Sequence, residues 1–306
     1  MLITPAAIAA LQVGFSNIFQ RAWQTTSVFW PRMATMTQSS TASNVYGAMA
    51  RLPAMREWLG PRLFANIEGH AYTLNNRTFE LSVAVGRDEI EDDQLGWTSA
   101  YISEFGRQAA KWPDQLAVEA LQNGTVITGP GGASFDGLSF FNAAHTLNPA
   151  GVQSNNLAAT PLTAANYGVA RETMMAYRGE DGQPMGVMPD LLIVPPQLET
   201  EARTILNADF IADPGGVAAG VTNIFKGSAD LLVVPELANQ ATTWYLADSS
   251  RPMLPLIWQV RRPVQFTNKT NLTDDNVFRQ NRFEWGIDGR GAVGYGPWFL
   301  MLRATA

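Results

Sequence analysis

Apolar positions recur at helical spacing from the start of the chain, at Ile8, Leu11, Phe15, Ile18 or Phe19, and Ala22. Thr4-Pro5 precedes them as an N-cap and a proline at the first helical position, so the pattern predicts an amphipathic helix over about residues 5–23. The period is then lost. Residues 24–50 are small and polar, "TMTQSSTASNVYG" among them, with neither helical nor strand alternation, and they read as an extended arm. A structureless stretch of that length is uncommon inside a compact domain and is easier to place across another subunit. Strict alternation follows, with Tyr72 and Leu74 before Asn75-Asn76 and Phe79, Leu81, Val83 and Val85 after it. Paired asparagines between alternating runs predict a hairpin. A two-stranded ribbon alone is marginal in water, so this one is expected to pack on its own domain or on a neighbour.

"RDEIEDDQLG" (87–96) closes the ribbon and leads into a second helix, whose stripe is Ile102, Phe105, Ala109 and Leu116. Pro113 predicts a kink or a restart within it, and Asn123-Gly124 ends it as a C-cap. Residues 125–160 are rich in Gly, Ser and Asn and mark a domain boundary or a flexible insertion. Helix and strand then alternate. Thr163 caps a helix carrying Tyr167, Ala170, Met174 and Tyr177, and Pro196 starts another that runs to about Asn207. The apolar runs Leu191–Val194 and Leu231–Val234 sit in "DLLIVP" and "DLLVVP", 40 residues apart, which suggests two neighbouring central strands of one sheet. The last third reads as strands at Trp244–Ala247, Leu256–Arg261, Val264–Thr267, Val277–Trp285 and Trp298–Arg303. The class is α+β, with helices and strands in segregated blocks.

Charge sharpens this picture. The 306 residues carry a net charge of −6, and only 16% are charged, against about 25% in ordinary soluble domains. A pI near 5.0 argues against a general nucleic-acid binder, which would show a basic patch. A charge-poor surface with 9 Trp, 11 Met and Arg in place of Lys suits a protein that covers itself with neighbours. The compositional bias of a GC-rich genome would give the same numbers. Cysteine is absent, which excludes a disulfide scaffold, thiol catalysis and thiolate metal sites. No basic region precedes Ile8, so no export signal is read and the chain is expected to stay in the cytosol that made it. No apolar run approaches the length of a membrane span.

Candidate chemistry is sparse. Gly289, Gly291 and Gly294 form GxGxxG, but only 12 residues follow and they read as a strand, so a turn or bulge is expected rather than a nucleotide site. His70 and His145 stand alone and read as structural. Glu91-Asp92-Asp93 abuts a helix start, where carboxylates favour the dipole, and Asp274-Asp275 sits in a polar turn. No catalytic, cofactor or metal residue is assigned.

The blocks "SSTASNVYGAMARLPAMREWLGPR" (39–62), "GHAYTLNNRTFELSVAVGRDEIEDDQLG" (69–96) and "GRQAAKWPDQLAVEALQNG" (106–124) resemble the major head subunit of Mu-like phages and prophages. "FDGLSFFNAAHTLNP" (135–149) is similar to the family's next block, departing from it at Thr146, where proline is expected. The resemblance implies an α+β, HK97-type capsid fold: an N-arm over 1–50, an E-loop region over 51–90, a peripheral domain with its spine helix over 91–135, an axial domain over 136–255, and peripheral-domain strands with a C-terminal return over 256–306. The arm and the ribbon would then lie across neighbouring subunits.

The implied function is that of a self-assembling shell of hexamers and pentamers around double-stranded DNA, with no cofactor and no membrane. A scaffold, a head protease, decoration proteins and a portal are the partners of such a shell. It is built in the host bacterial cytoplasm and belongs to the virion. The expected subunit contacts are Phe15, Phe19 and Trp23 in the arm and Arg62, Tyr72, Arg77 and Phe79 in the ribbon. Some members of the wider fold cross-link through a Lys–Asn isopeptide bond with its lysine on the E-loop; this chain has no lysine before Lys111, so no such bond is expected. Two alternatives stay open: an encapsulin-like nanocompartment shell, and a metal-dependent α+β hydrolase built on residues such as Asp92 or Asp274.

Overall fold

A computed structural model describes residues 5–47, 71–92, 96–147, 151–179, 182–211 and 220–306. Two helices set one side of the molecule. α1 (Pro5–Thr25) lays the predicted stripe of Ile8, Phe15 and Phe19 against Ile102, Phe105 and Ala109, all on α3 (Trp97–Asn123). A short α2 (Arg87–Glu91) precedes α3. The two long helices cross closely at Gly106, where a Cβ would stand 2.5 Å from the Phe19 carbonyl oxygen. α3 runs through Pro113 as one element, so the expected restart is absent. The lost hydrogen bond is outweighed by packing on both sides of the proline. Trp112 meets Trp258 edge to face at 4.9 Å, and the Asp114 carboxylate accepts the N–H groups of Phe29 and Trp30 at 3.1 and 2.8 Å.

Beneath the helices lies a four-stranded sheet in the order β1-β13-β14-β4. β1 (Ala34–Gln38) runs parallel to β13 (Leu256–Lys269); β13 pairs antiparallel with β14 (Arg282–Tyr295), and β14 with β4 (Arg77–Gly86). The polar stretch after α1 is thus not a free arm throughout, since residues 34–38 take an edge of the chain's own sheet. β13 joins what the sequence divides into two strands; the register slips on either side of Arg262, which lets the strand pass Pro263. The predicted strand from Val277 begins instead as helix α6 (Asp275–Gln280), with an Asp275–Arg279 pair one turn apart, ended by Asn281 at φ +49°.

The expected hairpin is corrected. β2 (Ser43–Gly47) pairs antiparallel with β3 (Ala71–Asn75), whereas β4 pairs with β14, so Asn75-Asn76 is where the chain leaves one sheet for another. The ribbon is real, but its second leg lies before residue 48 and not after residue 76. Residues 48–70 lie outside the described residues, and with them half of the expected E-loop region, Arg62 and His70.

The second sheet has five strands in the order β11-β8-β12-β15-β7. β8 (Leu191–Val194) is wholly buried and lies parallel to β11 (Asp230–Val233), as the repeated "DLL" predicts, although β11 is an edge strand and only half-covered. β12 (Thr243–Ala247) separates β8 from β15 (Met301–Thr305), which reaches β7 (Asn156–Leu157). Trp298–Leu300 is a 3-10 turn in front of β15 and not part of a strand. α4 (Ala164–Met175) carries the predicted cap, Thr163 Oγ1 accepting from Asn166 N, and α5 (Glu199–Asn207) follows a 3-10 turn at Pro196. Two small antiparallel pairs complete the chain, β5 (His145–Leu147) with β6 (Gly151–Gln153) and β9 (Phe210–Ile211) with β10 (Val221–Thr222). One core joins both sheets, running from Trp112 and Trp258 through Phe140 and Tyr295 to Trp298.

Candidate assembly surfaces

The sequence-predicted contact residues fall into two groups. Phe15, Phe19 and Tyr72 are packed within their own chain. Phe15 meets Trp285 edge to face at 5.4 Å, and Phe19 stacks on Phe266 at 4.8 Å. The Tyr72 hydroxyl donates to the Gly131 carbonyl and accepts from Tyr295 N at 3.1 Å. Burial pushes its ionisation well above the ordinary phenol range. Trp23, Arg77 and Phe79 remain half-covered. Arg77 bonds Glu119 of α3 at 2.6 Å and lies over the Phe79 ring at 4.9 Å, and Phe79 in turn packs on Trp112 at 5.4 Å.

Phe79 and Trp23 border two apolar grooves that adjoin at Ala109, Trp112 and Val264. One, of about 340 Å³, runs past Phe79, Leu81 and Ile287. The other, of about 360 Å³, is lined by Trp23, Trp30, Met36 and Trp258. Met36 is 52% exposed, so apolar surface reaches the rim. Both grooves lie along α3 where it faces β13.

The ribbon is anchored at its base by a residue that sequence reasoning missed. Gln259, fully buried on β13, accepts from Tyr46 Oη at 2.7 Å and donates to Asn76 Oδ1 at 2.7 Å and to the Leu74 carbonyl at 3.3 Å. A glutamine interrupting the apolar run over 256–260 was the available signal. The GxGxxG glycines are packing positions inside β14. A Cβ on Gly289 would meet the Trp112 ring, one on Gly291 the Gln259 carbonyl oxygen at 2.5 Å, and one on Gly294 the Tyr72 hydroxyl. No turn occurs there; the irregularity is in the facing strand β13.

His145 is a buried clamp. Its Nδ1 lies 2.5 Å from Asp136 Oδ2, and its Nε2 faces the Phe140 carbonyl and Asn155 Oδ1 at 3.2 and 3.1 Å. The Asn155 amide nitrogen is committed to the carbonyls of Phe140, Trp298 and Met301, so Oδ1 must face the ring and Nε2 donates to it. The imidazole stacks on Trp298 at 4.2 Å. Both nitrogens are taken, which leaves none for a metal. Asp274 Oδ2 accepts from Asn271 N, and Asp92 ends α2. Among the described residues no group of three or more His, Asp or Glu side chains is placed to hold a metal ion, and no helix is long and apolar enough to cross a membrane.

A long helix beside a long-stranded sheet, a ribbon leaving it, and a second five-stranded sheet with flanking helices together form the HK97-type fold of phage capsid proteins. The procapsid of bacteriophage JBD30 matches it with a TM-score of 0.61 and 28% identity, over 99% of this chain and 76% of that one. The mature capsid of bacteriophage PhiM1 matches with a TM-score of 0.56 at 11% identity, over 92% of this chain and 87% of that one, which shows the fold alone. The family model for the Mu-like prophage major head subunit gpT matches residues 8–160, 153–237 and 235–306. The chain belongs to that family and is a major capsid protein. The major capsid protein of Escherichia phage Mu is 29% identical over 302 residues, covering 99% of this chain and 74% of that protein.

Proposed function

We propose that copies of this chain associate as hexamers and pentamers into a closed icosahedral shell around double-stranded phage DNA. The observation that carries this is a family match along nearly the whole chain, combined with a capsid fold whose half-covered apolar grooves and ribbon suit contact with neighbours. Residues 1–50, 51–90, 91–135, 136–255 and 256–306 serve as arm, E-loop region, peripheral domain, axial domain and peripheral return. Trp23 and Phe79 take part in subunit contacts from the grooves, Arg77 from beside Phe79, and Arg62 from the E-loop region. The net charge of −6 suits a container, because a strongly basic wall would bind DNA non-specifically and resist its packing and release. Scaffold, head protease, decoration and portal proteins are its partners, and the shell is built in the host cytoplasm. The chain has no catalytic step to perform in this reading.

Isolated particles test it against a nanocompartment. The expected content after nuclease treatment is protected double-stranded DNA; a protein cargo with no protected DNA would contradict the proposal.

A further inference from the structure

Asp114 sits where three segments meet: α3, the 3-10 turn Trp30–Arg32 that follows α1, and the 3-10 turn Pro235–Leu237 that follows β11. Only 1% of the residue is exposed. Its Oδ1 accepts both Phe29 and Trp30 N–H groups, while its Oδ2 is buried with no partner. Glu236, on the second turn, repeats the arrangement. Its Oε1 lies 3.5 Å from Lys111 Nζ, and its Oε2 is buried with no partner. Lys111 and Asp114 are one turn apart on α3. Glu236 is thus paired with Lys111 one turn from Asp114, and each carboxylate has a buried oxygen with no partner. A buried acceptor without a donor is costly.

We propose that Asp114 is a proton-operated latch joining the turn after α1 and the turn after β11 to α3. Protonated, Asp114 brings no charge into the buried junction, while Oδ1 keeps its two backbone bonds and the junction tightens. Ionised, it holds a buried charge whose Oδ2 has no donor, and the junction loosens. The groups acting on Asp114 fit this. Burial pushes its ionisation above the usual carboxylate range, the Phe29 and Trp30 N–H groups oppose that, Glu236 adds to it, and Lys111 subtracts. Because the folded-state value is raised, the folded protein holds the proton over a window that begins at the ordinary aspartate value, about 3.9. Stability from this junction is full below that window and is lost as pH rises through Asp114's own range.

The test is thermal unfolding of the full chain at about pH 4.5 and about pH 8, with hydrogen exchange of the 26–33 segment read at each pH. Asp114→Asn keeps an oxygen acceptor for the two backbone N–H groups and removes the charge at every pH. Its melting midpoint should exceed that of the unsubstituted chain at the higher pH and match it at the lower, with slower exchange of residues 29 and 30 at the higher pH. Glu236→Gln should flatten the same pH difference. A midpoint lowered equally at both pH values by Asp114→Asn would mean that Asp114 works only as an ionised cap. Parallel pH profiles for the two chains would equally overturn the latch.

Discussion

At the scale of single residues, burial decides more than chemistry. His145 looked like an isolated loop histidine, and nothing in its immediate neighbours along the chain announces Asp136, Asn155 and Trp298 as partners, because they converge from three separate segments. His145→Ala removes one member of a buried pair and leaves the Asp136 carboxylate without its partner, which should cost about 3–5 kcal/mol; the denaturant midpoint measures it. Gly294 is a packing position whose reason is equally non-local. Gly294→Ala would drive a methyl group into Tyr72 and Leu74, and a loss of about 1–3 kcal/mol is expected from overpacking. The buried tyrosines give a pH prediction. Burial raises Tyr245 to about 12 and moves Tyr72, Tyr177 and Tyr295 in the same direction. Stability from these groups is full below the ordinary tyrosine value, about 10, and is lost as pH rises through the folded values. Tyrosinate absorbance should therefore appear for these four only together with unfolding; a titration complete before unfolding would contradict their burial.

At the scale of elements, legibility follows the reach of the pattern. α1, α3 and α4 were readable because an apolar stripe at period 3.6 is local information, α5 from the proline before it, and β8 because a short all-apolar run has few other uses. β1 and β2 were not readable. Their residues are polar, and what makes them strands is an edge offered by partners far along the chain, β13 for one and β3 for the other. The Asn75-Asn76 hairpin was misread for a related reason: alternation on both sides of a turn-like pair also describes a strand that changes sheet, and only Gln259, from a third strand, distinguishes the two. Of the candidate contacts, the aromatic content of the arm was legible, but which way Phe15 and Phe19 face was not. Phe19→Ala tests the docking of α1. The ring is 1% exposed against Phe105 and Phe266, so about 3–5 kcal/mol should be lost and trypsin should cleave faster after the exposed Arg21. Unchanged cleavage would mean that α1 is held by something other than this contact.

For the whole molecule, the sheets, ribbon and helices describe a subunit rather than a self-sufficient machine. Its half-covered surfaces are apolar grooves beside α3 and an edge-paired ribbon, and among the described residues no group of three or more His, Asp or Glu side chains is placed to hold a metal ion. Lysine first appears at position 111, so shells of this chain should dissolve to a single monomer band on denaturing gels; a ladder at multiples of the monomer mass would contradict that. Replacing Phe79 and Trp23 with Ser at the groove edges should weaken assembly more than it lowers the melting temperature of the dissociated subunit. The most direct measurement is negative-stain electron microscopy of the chain expressed alone and separated by size. Closed shells, tubes or capsomer rings are the predicted result and would show that the subunit carries its own curvature. A monomer that remains monomeric at every concentration, with or without a scaffold partner, would contradict the claim that this chain builds the head.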